Sequence, residues 1–396
     1  MPLDVVETLC DLVSIPSVNP MGRNDSGDEF YEYRMTDRLE AIFNQLGLPC
    51  ERQEVEPKRS NIVARLEGSD QVIAFEAHQD TVPVDGMTIA PWSPEVRDGR
   101  LTGRGSCDIK GGMASMLVAV ARLAEERPAG MPTILMACSV NEEHGYSGAT
   151  DMARLWASGA SRLVPRRPDA VIVAEPTLLN VVVAHKGVSR WKIKTAGRAC
   201  HSSTPHLGDN AVYRMARVLN ALEEYARDVV PTLGSHHLLS GPTLSVGVIS
   251  GGISVNTVPD ACSIEVDRRV MPKEDPLAAR QHVIDFLNER LDTSVPIEHE
   301  APFIASGGLS DDDNGTLAEQ LGEVAMAHGG PGEVVGVPYG TDAPAFGGIG
   351  CPAVVFGPGS IEQAHTCDEW VEIEQLQTAA EIYYQFGKRG LLECRL

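Results

Sequence analysis

The stretch Val72-Ile73-Ala74-Phe75 runs directly into Glu76-Ala77-His78-Gln79-Asp80. Four apolar residues in succession read as a strand buried on both faces, and titratable residues crowd its carboxyl end. Downstream, the glycine-rich turn Gly103–Gly112 leads into a helix from Met113 to about Glu126, and a second apolar run covers Thr133–Val140. A helical stretch near Ala149–Ala157 and a third run, Ala170–Ala174, repeat the alternation. Upstream, Val5, Val6, Leu9, Leu12 and Val13 recur at helical spacing until Pro16 and Pro20 end the pattern. A second helix is expected over Phe30–Leu46, stopped by Gly47, and Asn61–Leu66 alternates as a strand. Strands alternating with helices, several of them apolar throughout, predict an α/β fold with a doubly wound mixed sheet.

The pattern changes near Gly187. Trp191, Ile193 and Thr195 alternate with lysines, as in a sheet with one wet face. A helix is expected from about Asn210 to Asp228, then strands near Leu244–Ile249 and Cys262–Val270, a helix over about Pro276–Leu291 and a short strand near Val295–His299. Strand, helix, two strands, helix and strand make a small α+β sandwich of the ferredoxin-like kind. The first type of alternation resumes after about Ala301 and closes with Ala353–Phe356 and a helix near Ile373–Phe386. The expected organisation is therefore an α/β domain in two parts, residues 1–186 and 301–396, interrupted by an α+β domain over 187–300.

A chain of 396 residues exceeds what one hydrophobic core usually serves, which agrees with two domains. With 55 acidic against 33 basic residues the formal charge is −22, a sign that repels nucleic acid and anionic membranes, so neither is expected as a partner. The longest apolar candidate, Met113–Leu123, falls short of the roughly 20 residues that cross a bilayer. Asp4 and Glu7 near the start do not resemble a signal peptide. Nine cysteines without a CxxC pair read mostly as buried free thiols. A soluble, cytoplasmic protein is the expectation.

In open α/β sheets, ligands bind beyond the carboxyl ends of the strands. His78 and Asp80 follow the first run, Glu142 and Glu143 the second, Glu175 the third, and His365 lies shortly after Ala353–Phe356; Asp108 sits in the glycine-rich turn. Any one of these is more commonly a solvated side chain or a helix cap. Their coincidence at one sheet edge is what points to metal, because carboxylate and imidazole together suit hard and borderline cations. There are enough for two ions sharing one carboxylate. Asp80, two positions from His78 on extended chain, is placed to hold the far ring nitrogen of that histidine. Adjacent Glu142 and Glu143 point in different directions, so one can bind metal while the other stays free as a general base.

Several stretches also resemble one family: AHQDTVP (Ala77–Pro83), GRGSCDIKGGMA (Gly103–Ala114), NEEHG (Asn141–Gly145), AEP (Ala174–Pro176), HSSTPHLGDNA (His201–Ala211), GGISVNTVPD (Gly251–Asp260), DRRVMP (Asp267–Pro272), GTDA (Gly340–Ala343) and FGPG…AHTCDE (Phe356–Glu369). Together they resemble the dinuclear zinc M20 peptidases and amidohydrolases, which include acetylornithine deacetylase, succinyl-diaminopimelate desuccinylase, aminoacylase and glutamate carboxypeptidase. The resemblance implies two Zn²⁺ per chain, with Co²⁺ or Mn²⁺ able to substitute. Asp108 would bridge them, His78 and Glu175 would complete one site, and Glu143 with His365 the other. It further implies Glu142 as general base, Asp80 as partner of His78, and the inserted domain as lid and dimerisation domain of a homodimer. Cys107 and Cys367 flank implied ligands and are taken as packing residues, since five ligands already suffice.

Within the inserted domain, His201 is a turn histidine that by resemblance reaches a neighbouring active site and donates to the tetrahedral oxyanion. Asn256 is either a turn residue or a substrate ligand. Arg269 alternates with Asp267 and Glu265, so a structural ion pair competes with the implied role of carboxylate binder; Gly340 and Thr341 would add loop contacts. The resulting expectation is a metal-dependent hydrolase that cleaves the amide of small N-acyl amino acids with metal-activated water. A di- or carboxypeptidase with the same site comes second, and a non-catalytic metal-binding dimeric scaffold third.

Overall fold

The unbroken apolar runs become inner strands of an eight-stranded mixed sheet in the computed structural model, which describes residues 3–23, 25, 27–291 and 297–392. The strand order is Cys50–Glu56, Arg59–Leu66, Pro132–Ser139, Ser69–His78, Ala170–Val173, Ala353–Val355, Val181–His185, Val334–Val337. Ser69–His78 lies between parallel neighbours Pro132–Ser139 and Ala170–Val173, and Ala353–Val355 continues the parallel run. Every residue of Pro132–Ser139 and Ala170–Val173 is buried, as strands covered on both faces must be. Helix Lys110–Glu126 packs on helices Val5–Val13 and Ile373–Arg389.

That helix begins earlier than the expected Met113, because Lys110 and two glycines read as part of a turn form its start. A Cβ on Gly111 would lie 2.5 Å from the Ser106 carbonyl oxygen, and one on Gly112 2.9 Å from the Ala174 Cβ. Both glycines are there for close approach. The helix expected over Phe30–Leu46 is trimmed to Tyr33–Gln45, since Phe30 bridges to Val18 and Tyr31 adopts φ 69°. Cys50–Glu56 forms an antiparallel hairpin with Arg59–Leu66 that polarity had concealed.

The chain separates into two compact units. One comprises Met1–Val183, Ser310–Val335 and Thr341–Leu396; the other comprises Ala184–Leu309 and Gly336–Gly340. The insertion thus ends at Leu309 rather than near residue 300. The reason is that Ile304–Ser306, as well as Ile297–His299, pairs with strand Gly187–Ala196. Of the strand expected near Val295–His299, Val295 lies outside the described residues. The inserted unit is an antiparallel sheet ordered Thr243–Gly251, Ala261–Val270, Gly187–Ala196, Ile297–His299. Helices Ala211–Glu224 and Pro276–Arg290 contribute to its core, where Trp191, Ile193, Ile264 and Val266 meet Met215, Leu222, Val283 and Leu287. Asn210 and Asp275 cap these helices by accepting backbone N–H groups of the first turn. Strand order and connection are those of the ferredoxin-like arrangement.

Candidate metal centre and active site

Each candidate ligand of the larger unit leaves a secondary-structure end. His78 is the last residue of its strand, Glu142 and Glu143 follow Pro132–Ser139, and Glu175 follows Ala170–Val173. Asp108 precedes helix Lys110–Glu126, and His365 lies in the loop after Ala353–Val355. The fold gathers them into two groups, His78–Asp108–Glu175 and Asp108–Glu143–His365, and within each group the donor atoms all lie within 4.8 Å of one another. Asp108 belongs to both. Its Oδ1 is 3.2 Å from His78 Nε2, and its Oδ2 is 3.2 Å from His365 Nε2, which is also 3.2 Å from Glu143 Oε2. One carboxylate thus offers an oxygen to each group.

Burial pushes the Glu142, Glu143 and Glu175 carboxyls above the usual carboxylate range, and neighbouring negative charges push further. Burial pulls the imidazoles of His78 and His365 down, yet their carboxylate partners outweigh it; His78 ends well above its ordinary value and His365 at about 11. This many buried carboxylates need compensating positive charge. Two imidazoles and three carboxylates, one of them shared, are a donor set that fits a pair of divalent ions.

Glu142 and Glu143 are held by their backbone. Asp80 Oδ1 accepts the Glu142 N–H and Oδ2 the Glu143 N–H, both at 3.1 Å, while Asn19 Nδ2 donates to Oδ2 at 2.8 Å. Asn141, just before them, sits in the left-handed region at φ 60°. It is fixed from three sides: its N–H donates to Glu32 Oε1, its Oδ1 accepts from Asn19, and its Nδ2 donates to Ser147 Oγ. The expected role of Asp80 towards His78 is therefore modified. His78 Nδ1 is 2.9 Å from the Asp80 backbone oxygen and 3.7 Å from its carboxylate, because that carboxylate is engaged by the two glutamate amides.

Cys107 is a buried packing residue whose thiol donates to the Ser360 carbonyl. Cys367 is exposed instead of packed; its backbone carbonyl accepts from Thr88, and its thiol donates to Asp368 Oδ1 at 3.9 Å. Neither belongs to a metal-ligating group among the described residues. Thr341 is buried, and its hydroxyl accepts the Ala343 N–H at the start of a short helix; Gly340 falls in the inserted unit.

In the inserted unit His201 and Asn256 are brought together. His201 pairs with Thr257 across a two-residue ladder, and Ser202 N–H donates to the Asn256 carbonyl. The Ser203 N–H donates to His201 Nδ1 at 3.2 Å, which assigns the ring proton of neutral His201 to Nε2. Arg269 makes the ion pair that competed with its substrate role: its Nε is 2.9 Å from Asp267 Oδ1, while Arg190 takes Oδ2 at 2.7 Å. Arg268 is fully buried on Glu274.

Sequence reading missed Lys186. It lies between strands Val181–His185 and Gly187–Ala196, where burial and the Arg269 charge lower its pKa; its Nζ donates to Ser240 Oγ and the Gly241 carbonyl. Also missed were the residues that support the ligand loops, among them Asn19, Glu32 and Glu369. Lys110 is another: buried, pushed down to about 7 by desolvation, it donates to the Leu12 and Ile15 carbonyls at the end of the first helix. Their spacing carries no signal, since their partners lie far away in sequence, as backbone groups or as side chains, those of Asp80 and Asn141 for Asn19.

Relatives of known name cover nearly the whole chain. A probable succinyl-diaminopimelate desuccinylase from Staphylococcus aureus (strain MSSA476) is 27% identical, with 98% of each chain covered. The acetylornithine deacetylase of Myxococcus xanthus is 32% identical over 86% of this chain and 88% of its own. Among solved structures, an M20 family metallo-carboxypeptidase from Sulfolobus solfataricus shares the fold with a TM-score of 0.79 at 18% identity, covering 98% of this chain and 99% of its own. A tripeptidase from Staphylococcus aureus does so with 0.76 at 22%, covering 98% of each. The order of candidate ligands along the chain, the sheet that presents them and a match over residues 74–389 converge: the chain belongs to peptidase family M20/M25/M40.

Proposed function

We propose that the protein hydrolyses the amide bond of small N-acyl amino acids, with two Zn²⁺ ions held by His78, Asp108, Glu143, Glu175 and His365. The observation that carries this reading is the division of Asp108 between two ligand groups beside the buried carboxyl of Glu142. Divalent ions bound there supply Lewis-acid polarisation of the amide carbonyl and acidify a water. Glu142 takes a proton from the attacking water and passes it to the leaving nitrogen, giving a carboxylate and an amine. Its raised pKa suits a group that must hold that proton between the two transfers. His201, through Nε2–H, donates to the oxyanion. The test is hydrolysis of an acetyl- and succinyl-amino-acid panel against a dipeptide panel, after chelation and after restoring Zn²⁺, Co²⁺ or Mn²⁺. Turnover confined to dipeptides would make the protein a peptidase, and full activity without metal would end the reading.

Arg269 is our choice for the substrate α-carboxylate, with Lys186 adding positive charge, Asn256 a neutral donor, and Gly340 and Thr341 loop contacts. Charged hydrogen bonds of this kind contribute about 1.5–3 kcal/mol, so Arg269→Met should lower kcat/KM for an N-acetyl amino acid roughly 10- to 100-fold. The corresponding methyl amide should change little. Equal losses for both substrates would assign Arg269 to Asp267 alone.

The same reading makes the protein a cytoplasmic homodimer. The eight described cysteines are free thiols, as a reducing compartment keeps them. Strand Thr243–Gly251 is a sheet edge with exposed Val248 and Ile249, and the turn beyond it exposes Ile253 and Val255 at 93% and 101%. An apolar edge of this kind is a template for pairing with a second copy. If His201 serves the partner's site, mixing inactive His201→Ala with inactive Glu142→Gln subunits should restore activity in mixed dimers. Subunits shown to have exchanged without recovery would place His201 outside the reaction.

A further inference from the structure

Asp108 ends a turn-rich loop that departs from strand Arg100–Thr102 and enters helix Lys110–Glu126. A shared ligand must present two oxygens in two directions at once, so its backbone has to be fixed. The group that contacts this backbone is the carboxylate of Glu369, which is fully buried. Its Oε1 accepts the N–H groups of Cys107 at 2.9 Å and Asp108 at 3.0 Å. Its Oε2 accepts the Gly105 N–H at 3.0 Å and Arg104 Nη1 at 2.6 Å. The Gly103 N–H donates to the Glu369 carbonyl as well. An ionised carboxylate is an acceptor with about four lone-pair sites, and here four donors occupy them. Arg104, itself buried and also donating to the Pro83 and Thr366 carbonyls, supplies the charge that lets the carboxylate be buried.

We infer that Glu369 is a positioning residue that presets Asp108 for two ions, clamping the loop through three amides before any ion arrives. The inference rests on reading Asp108 as the shared ligand. Glutamate suits the task because every hydrogen-bond partner of its carboxylate is a donor. Glutamine would turn an –NH₂ towards two of them and break the clamp on one side while keeping its size. Glu369 also lies four residues beyond His365, so a single segment delivers one ligand and the clamp for another.

The test uses the full-length protein stripped of metal. Stepwise Co²⁺ titration by absorption gives two affinities and a spectrum, and amide hydrogen exchange reports on the loop. Wild type should take up two Co²⁺, and the Gly105, Cys107 and Asp108 amides should exchange slowly even without metal. Glu369→Gln should weaken both affinities about 10- to 100-fold and alter the Co²⁺ spectrum, as loss of an outer support for a ligand does. Glu369→Asp, which keeps the charge, should recover part of both. A role in stability alone would lower Tm of the metal-free variant yet leave the affinities and spectrum of the folded fraction unchanged. Affinities within twofold of wild type in folded Glu369→Gln would overturn the inference. So would wild-type amides that exchange as an open loop and become protected only with Co²⁺, a result that does not depend on any variant folding. A wild type that binds no Co²⁺ would instead defeat the two-ion reading, leaving the clamp to be judged by exchange alone.

Discussion

Replacing Glu142 by Gln is expected to leave both ions bound and to lower kcat by about 10²- to 10⁴-fold, the range that one positioned acid–base group contributes. The amide keeps the shape of the side chain and fits the same buried place, but it neither accepts a proton from water nor returns one. Glu143→Gln is expected to behave differently, because Glu143 Oε2 faces His365 within the second ligand group. That variant should lose the ion on its side. Elemental analysis beside turnover separates the two residues, which adjacency in sequence cannot. If Glu142→Gln loses metal while Glu143→Gln keeps two ions and loses turnover, the assigned roles are reversed.

Asp108→Ala should have the larger effect on metal. Substituting Glu175 removes a donor from one group, whereas Asp108 is common to both. Losing it should empty both places and cost several kcal/mol of transition-state stabilisation, roughly 10³-fold or more in kcat/KM. Thermal unfolding supplies an independent readout. An ion that binds the folded chain raises Tm with its concentration, so added Zn²⁺ should stabilise the wild type and leave Asp108→Ala unmoved. A metal-dependent Tm in Asp108→Ala equal to that of wild type would remove Asp108 from the centre.

The larger sheet was legible because its inner strands contain unbroken apolar runs: Val72–Phe75 and Ala170–Val173 admit few readings besides a strand covered on both faces. Candidate ligands then fell at strand ends, where the topology of such sheets puts them. The hairpin partner Cys50–Glu56 was not legible, since Cys-Glu-Arg-Gln-Glu-Val-Glu at a sheet edge has no apolar face to reveal it. Asp80 was found for a partly different reason from the one the structure gives. Two residues from His78, it was read as a ring partner, and its carboxylate instead holds the amides of Glu142 and Glu143, some sixty residues away. Glu32, Lys110 and Glu369 stayed hidden for the same cause. A buried charge satisfied by distant backbone leaves no periodicity, and a sequence shows it as one more acidic or basic residue.

That the larger unit is built from separated stretches of chain has a consequence during synthesis. At roughly 5–20 residues per second, about 15 to 60 s pass between the emergence of His78 and that of His365. The candidate group His78–Asp108–Glu175 is complete once residue 175 has emerged, whereas the group containing His365 must wait for 190 residues more. Strand Ala170–Val173 meanwhile lacks its neighbour Ala353–Val355, and the loop bearing Asp108 lacks Glu369. On the proposed two-ion reading, a nascent chain carries half a centre whose shared carboxylate is still unsupported. On that reading neither ion finds its finished surroundings until synthesis has passed Glu369.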